Sequence, residues 1–389
     1  MASVTPTVSD LAVERAISKV AESFRFVLDI TPVDVESQRS AFLDGKITDP
    51  DFTYREIEDA PDVLAASLKA IPLDDVEDAA LRSLLAAKHD EVQLQIEMLR
   101  ARCSRDFVRL SERLYGAIDS DLQRAADLIL AEVRAPEGIA NDYVQAEEFA
   151  ELARLELAHY RSIEPDIGAH VEIRPDVAGV MASGNVLLIS TATRIRTGRV
   201  HALLQHEVGT HLLTHVNGRF QPIGIMAAGL AGYEETQEGL AVLAEFLVDG
   251  LSPYRLRQLA ARVLAVSRML AGDTFAGVHE AIVSKGFSAH SAFTTTMRVF
   301  RSGGLTKDAI YLRGLLKVME YARENQDLEL LWMGKLSLDQ LHIVEDLLAR
   351  GMLNRPKLLP RCLDMPSSPA RLQKAASLSG IAGLIGDTT

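Results

Sequence analysis

The chain has 389 residues, of which 48% are hydrophobic, and it carries a formal net charge of -13. It is long enough for one large domain or for two to three smaller ones, and its acidic total argues against a general nucleic-acid binder. Two cysteines, Cys103 and Cys362, are too few and too far apart for a disulfide scaffold, so we expect a cytoplasmic protein. No apolar run approaches the roughly 20 residues of a membrane span, so we expect no membrane partner.

The first 165 residues are predicted to form an N-terminal helical region. Apolar residues recur at helical spacing from Leu11 onward, after a helix-start signal at Ser9 and Asp10. The predicted helices of this region span residues 11–28, 76–114, 119–133 and 142–163.

The pattern changes in residues 166–250, which we predict to form the core that carries the functional site. Residues 169–174, 177–182 and 185–190 are short and alternating or apolar, and they predict a small antiparallel sheet. The last of these segments fits two roles equally well. It is either an edge strand that pairs with an extended peptide or an ordinary strand that covers the core.

Helical spacing returns after the sheet, and we predict that residues 251–389 form a C-terminal helical region packed on the core. Prolines at positions 360, 366 and 369 predict an irregular C-terminal tail. The predicted class is therefore α+β and mostly α-helical. The predicted helices span residues 197–216, 233–249, 252–271, 288–301, 305–326 and 337–350.

Four of the ten histidines lie between His201 and His215, and two of them belong to the segment His206-Glu207-Val-Gly-Thr-His211. Neutral imidazole is the commonest metal ligand at neutral pH. The spacing is HExxxH, one residue longer than the HExxH of metalloprotease helices. In a regular α-helix His206 and His211 are rotated about 140° apart, so both reach one ion only if the helix is widened locally, as by a π turn.

A second geometry needs no widened turn, because Glu207, His211 and His215 follow one another at α-helical spacing. It leaves His206 without a role and uses the nearby base as a ligand. In either geometry a hydrolytic zinc site needs three protein ligands and one open position. Glu238, at the edge of the next apolar helix, is the best candidate for the third ligand, with Glu235 in reserve.

Several motifs in one order resemble a single family. They are ALLQHEVGTH, Gln221-Pro222, GLAGY from Gly229, QEGLA from Gln237, and the stretch TKDAIYLRG that ends at Gly314. The family is the QEGLA-motif, or flavohemoglobin expression-modulating, family, which includes the microtubule-associated tyrosine carboxypeptidases. The resemblance is good over residues 170 to 320 and looser over the N-terminal helices.

This resemblance implies a zinc metallopeptidase with a zincin-like core, in which a small sheet lies beside the HExxxH helix. It implies that His206, His211 and Glu238 bind one Zn²⁺ ion and that Glu207 is the catalytic glutamate, which agrees with the widened helix. Zinc would lower the pKa of its bound water, and Glu207 would pass the proton of that water to the leaving amine. His201 and His215 lie outside the motif and are expected to be structural.

Charge is distributed unevenly along the chain, at -17 over residues 1–190, -2 over residues 191–250 and +6 over residues 251–389. A basic C-terminal third is able to hold a substrate's terminal carboxylate, for which the planar fork of arginine is well suited. Tyr233 is a candidate for stabilising the oxyanion. The candidates for substrate binding are Arg298, Arg301, Lys307 and Tyr311, together with Arg313.

The leading hypothesis is therefore a zinc-dependent carboxypeptidase that acts on the C-terminus of a peptide or protein. A preference for a bulky or aromatic terminal residue, tyrosine in particular, is implied by the resemblance alone. The alternative is a metal-binding regulatory protein without turnover, and a third hypothesis is a helical scaffold whose histidine cluster is incidental.

Overall fold

The computed structural model describes residues 5–58, 60–134, 142–177, 179–325, 327–377 and 381–385, and α-helices predominate within them. None of these helices combines the length and hydropathy needed to cross a bilayer. The N-terminal helices are α1 (Val8–Ser23), α2 (Phe26–Asp29), α3 (Val35–Leu43), α4 (Pro61–Lys69), α5 (Ala79–Arg100), α6 (Asp106–Tyr115), α7 (Ser120–Glu132) and α8 (Ala146–Ile163).

The helices of the second half follow a group of short strands. They are α9 (Val200–His206), α10 (Leu213–Arg219), α11 (Ile225–Ala228), α12 (Tyr233–Leu247), α13 (Pro253–Leu270), α14 (Phe275–Ser284), α15 (Ala289–Phe300), α16 (Ile310–Glu324), α17 (Leu341–Ala349), α18 (Arg361–Asp364) and α19 (Ser368–Ser377). The predicted α+β, mostly α-helical class is confirmed.

Several helix boundaries differ from the sequence prediction: residues 11–28 form two helices, α1 and α2, and the helix predicted from residue 305 begins at Ile310. Two of the differences have clear local reasons. Helix α1 begins at Val8, because Thr7 caps it and forms a capping box with Asp10. The single helix predicted over residues 76–114 is two helices, α5 and α6. The chain turns between them at Cys103, whose φ is +64° and whose N–H donates to the carbonyl of Ser302 at 2.9 Å.

The strands form two small sheets. Strands β1 (Tyr143–Gln145) and β5 (Arg194–Arg196) pair antiparallel, and this two-stranded sheet was not predicted. Strands β2 (His170–Arg174), β3 (Val180–Ser183) and β4 (Val186–Ser190) form a three-stranded sheet in the order β2-β4-β3. The predicted strand over residues 177–182 includes residue 178, which lies outside the described residues.

The prediction of an antiparallel sheet is correct for β3 with β4 and wrong for β2 with β4, which are parallel. The prediction of a possible edge strand over residues 185–190 is also wrong, since β4 is paired on both sides. Leu187 and Ile189 of β4 are fully buried, whereas β2 and β3 are only half-buried. The most apolar strand therefore takes the centre of the sheet and leaves β3 at an edge.

The largest hydrophobic cluster draws on all parts of the chain, from Val13 in α1 to Leu384 near the C-terminus. The tail is not irregular as predicted, because α19 lies within it. Pro369 occupies the first turn of α19, where the missing N–H of proline costs nothing. Prolines in this tail therefore mark a helix start as well as turns.

Helices α12 and α16 cross with their backbones almost in contact. A Cβ atom on Gly239 would lie 2.2 Å from the carbonyl carbon of Gly314 and 2.3 Å from its oxygen. A Cβ atom on Gly314 would lie 2.0 Å from the carbonyl oxygen of Glu235. The glycines of the QEGLA and TKDAIYLRG segments thus meet each other, and their meeting fixes where α12 lies.

Gly239→Ala is expected to lower the free energy of unfolding by about 3 kcal/mol, because backbone atoms cannot move aside as the end of a side chain does. Chemical denaturation of the metal-free protein measures this effect. Gly277→Ala in α14 is the matched control, since the nearest atom to its Cβ would be Thr274 Oγ1 at 3.4 Å. We expect the control to be neutral or slightly stabilising. Equal effects at both positions would contradict the proposed role of the helix crossing.

Candidate metal centre

Residues 200–219, which we call the metal helix, form one helix with a widened turn in the middle. Helix α9 leads into a π-helical segment, Glu207–Leu212, and α10 continues from it. His206 ends α9, and His211 lies within the π segment. A π turn holds more residues than an α turn, so it brings residues five apart toward the same side. The widened helix predicted from the HExxxH spacing is confirmed.

Side chains donate hydrogen bonds to backbone carbonyl groups at the widened turn. Thr210 Oγ1 donates to the carbonyl of Gln205 at 3.1 Å, and the indole N–H of Trp332 donates to the carbonyl of Gly209 at 3.0 Å. A Cβ atom on Gly209 would lie 2.8 Å from Gln205 Oε1, and Gln205 is itself held by a 2.9 Å hydrogen bond to Glu156. Glycine is thus needed here by close packing around the π turn.

The metal helix and α12 bring three ligand-type atoms together. The Nε2 atoms of His206 and His211 each lie 3.7 Å from Oε2 of Glu238. All three lie within 4.8 Å of one another, and the two imidazole planes cross at 70°. Atoms bound to one tetrahedral zinc ion at about 2 Å are about 3.3 Å apart, so the three atoms would need to approach one another by at most about 1.5 Å.

The surroundings of Glu238 fit a bound cation. Within the described residues its buried Oε2 has no hydrogen-bond partner, which is costly for an anion. Burial raises the pKa of Glu238, but the nearby charges of His211 and Lys307 outweigh burial and hold that pKa well below its ordinary value. Two imidazole nitrogens and one carboxylate oxygen are also a common donor set for catalytic zinc.

The alternative ligand set is not assembled among the described residues. His215 instead places Nδ1 3.2 Å from the carbonyl of Ala227, and it lines a different cavity. The reserve ligand Glu235 forms ion pairs with Lys317, at 2.7 Å, and with Arg313. His201 lies exposed on the first turn of α9.

Glu207 lies beside the ligand cluster without belonging to it. Its side chain is buried, and its Oε2 accepts a hydrogen bond from the N–H of Ala182 in β3 at 3.2 Å. Burial raises the pKa of Glu207, although the charges of His206 and His211 oppose the shift. The edge strand β3 therefore orients a carboxylate that is suited to accept a proton.

Glu245 fixes the orientation of His206. Its Oε1 lies 2.8 Å from Nδ1 of His206, which as the donor leaves Nε2 with a lone pair facing the cluster. Arg199 and Arg255 form ion pairs with the same carboxylate at 2.8 and 3.2 Å, and Glu245 is only 1% exposed. Sequence reasoning missed Glu245. The available signal was a lone acid in an apolar run, two helical turns after Glu238.

The two tyrosines named from the sequence both lie within the electrostatic influence of Glu238. Tyr233 begins α12, and the ammonium groups of Lys88 and Lys335 lie 5.6 and 5.5 Å from the centre of its ring. Burial raises the pKa of both Tyr233 and Tyr311, with the charge of Glu238 adding to each shift. Both phenols therefore stay protonated and able to donate a hydrogen bond.

A cavity of about 830 Å³ opens onto His206 and Glu207, and Tyr311 lies in its wall. Its lining is rich in positive charge. The arginines of the wall are Arg196, Arg199, Arg255, Arg262 and Arg298. Sequence reasoning missed four of these five. Arg255 and Arg262 are seven residues apart in α13 and so share one helix face, but α13 contains other arginines too.

The other predicted substrate-binding residues are occupied elsewhere. Lys307 is buried and pairs with Glu234 at 2.9 Å, and Arg301 is buried and donates to Thr31 Oγ1 at 3.0 Å. Neither is among the residues that line the cavity. Arg313 donates to backbone carbonyls and pairs with Glu235, as described above.

Fold and site together define a mostly helical α+β protein with a three-residue cluster of metal-ligand type beside a basic cavity. The chain belongs to the microtubule-associated tyrosine carboxypeptidase family, whose model matches residues 40–379. This result confirms the resemblance, and family membership implies peptidase activity of the carboxypeptidase kind. A search of curated proteins found no match.

Proposed function

We propose that this protein is a zinc-dependent carboxypeptidase with a zincin-like site, which removes a bulky or aromatic residue from the C-terminus of a peptide or protein. The observation that carries the proposal is the grouping of His206, His211 and Glu238 around an unpaired carboxylate oxygen, with Glu207 beside them. Tyrosine as the residue removed is supported by the name of the family.

Each residue of the site has a defined part in peptide hydrolysis. His206, His211 and Glu238 would hold the zinc ion, which when bound polarises the scissile carbonyl and lowers the pKa of water towards 7. Glu207 accepts the proton of the attacking water and passes it to the leaving amine. The N–H of Ala182 holds the Glu207 carboxylate in place during both transfers.

Two further features of the site suit a peptide substrate. The protonated phenols of Tyr233 and Tyr311 are available to stabilise the negative charge that develops on the carbonyl oxygen. The basic cavity beside Glu207 accepts the terminal residue, and its positive charge suits a free carboxylate. A cytoplasmic location stays a prediction, and Cys103 and Cys362 are both free thiols.

Metal analysis joined to a peptide assay tests this function. We expect about one zinc ion per chain and release of the terminal residue from free-acid peptides that end in tyrosine or phenylalanine. A strong chelator is expected to abolish release, and added zinc to restore it. Bound zinc without hydrolysis of a broad peptide library would favour the metal-binding regulator instead. A protein that binds no zinc would contradict both hypotheses.

A further inference from the structure

Arg262 is a buried cation in the wall of the active-site cavity. It lies in α13 and is 9% exposed, and His206 and Glu207 line the same cavity. Its guanidinium group stacks on Tyr311, at 4.4 Å from the centre of the ring. The side chain thus packs against Tyr311 in the wall of this cavity.

No residue that the structure describes forms a hydrogen bond with the guanidinium of Arg262. Its closest acid is Asp308, with 3.8 Å between Nε of Arg262 and Oδ2 of Asp308. Arg298 already donates to both oxygens of Asp308, at 2.6 and 2.7 Å. Within the described chain no group accepts a hydrogen bond from Arg262, and its Nη1 is a buried donor without a partner. Such donors are rare in folded proteins and usually indicate a missing partner.

Positive charge around Asp308 exceeds what one carboxylate neutralises. Arg298 and Arg301 also act on Asp308, and together they hold its pKa well below the ordinary value against the effect of burial. Burial and the nearby Arg298 lower the pKa of Arg262 to about 10, so it remains charged at neutral pH. The cavity therefore has an excess cation at Arg262 that an anion would compensate.

Three of the other four arginines of the wall are already engaged by acidic residues. Arg199 and Arg255 form ion pairs with Glu245, which orients His206. Arg298 forms an ion pair with Asp308 through its guanidinium group. Arg196 forms no ion pair with a described residue, but it is half-exposed and lies near the ring of Tyr143. Arg262 is thus the buried arginine of this wall that has no hydrogen-bond acceptor among the described residues.

We propose that Arg262 binds the free α-carboxylate of the substrate's C-terminal residue. The assignment rests on the proposed function and deepens it, because an anchor beside Glu207 restricts cleavage to the last peptide bond. A side-chain carboxylate of the substrate offers the same chemistry. The terminal carboxylate is favoured because Arg262 lines the same cavity as His206 and Glu207, whereas readout of a substrate side chain does not require a cation in the cavity of the reacting groups.

A binding experiment tests the anchor without needing turnover. We would measure the dissociation constants of N-acetyltyrosine, N-acetyltyrosine amide and N-acetylglutamic acid α-amide by calorimetry on the purified protein. We expect the wild type to bind the free acid about 10 to 100 times more tightly than either amide, as for a charge-assisted pair. Arg262→Gln is expected to remove this preference.

Arg196→Gln is the matched control, since it removes the same charge from the same cavity, and it should keep the preference to within a factor of three. Arg262→Lys retains the charge and loses the fork, so it should keep only part of the preference. This variant also serves if Arg262→Gln does not fold. Retention of the full preference in Arg262→Gln or Arg262→Lys, or tight binding of the glutamic acid α-amide, would overturn the assignment.

Kinetics provide a second readout. In Arg262→Gln, kcat/KM for free-acid peptides should fall about 10- to 100-fold relative to kcat/KM for the same peptides with an amidated C-terminus. If the protein hydrolyses nothing, the proposed function fails while the binding experiment still decides the anchor. If peptides are cleaved but Arg262→Gln retains the preference for free acids in both experiments, the anchor alone fails.

Discussion

Glu207→Gln is expected to lower kcat for peptide hydrolysis by about 10² to 10⁴ while the bound zinc remains. The amide of glutamine cannot accept the proton of the attacking water. Its oxygen still accepts the hydrogen bond from Ala182, so the local structure is retained. Single-turnover kinetics and metal analysis on the same preparation measure both parts of the expectation.

Two control variants sharpen the test of Glu207. Glu147→Gln changes an exposed glutamate in the first turn of α8 and should leave kcat unchanged. Glu207→Asp keeps a carboxylate but withdraws it by one methylene, so it should retain more activity than Glu207→Gln. If Glu207→Gln left turnover unchanged, Glu207 would not be the general base. If the variant lost its zinc, Glu207 would be a metal ligand.

The widened turn of the metal helix was one of two geometries that the local spacing allowed, and the family resemblance favoured it. Two histidines five positions apart cannot face one ion from a regular α-helix, and Gly209 lies between them. The choice of Glu238 over Glu235 followed from its place beside an apolar run. These inferences needed only distances along one or two helices, which the sequence specifies directly.

The features that the sequence did not predict depend on packing between residues that are far apart in the chain. The central place of β4 depends on which strand buries its side chains most fully, and that depends on helices packed against the sheet. Sequence spacing suggested Lys307 for the substrate, but it pairs with Glu234 across two helices. The roles of Arg262 and Glu245 could be inferred only from the structure. It shows the partners of Glu245 and the lack of a hydrogen-bond acceptor for Arg262 among the described residues.

His206→Ala is expected to weaken zinc binding by roughly 100-fold or more, whereas His215→Ala should leave it unchanged. Zinc bound by four ligands contributes about 10–16 kcal/mol in small structural sites, so one ligand is worth about 3 kcal/mol. Within the described residues, His215 forms a hydrogen bond with the carbonyl of Ala227, and its loss should cost about 1 kcal/mol of stability. Competition with a chromogenic chelator measures affinity, and thermal unfolding measures stability.

The two histidine variants and the Glu207 variant together distinguish the π turn from a regular helix. If His215→Ala lost zinc while His206→Ala kept it, the ligands would be Glu207, His211 and His215. Glu207→Gln would then also lose zinc, because its carboxylate would be a ligand and no longer the base. In the π geometry we expect the opposite results: His206→Ala loses zinc, whereas His215→Ala and Glu207→Gln retain it. The π turn places His206 near Glu238 and leaves Glu207 free to transfer the proton.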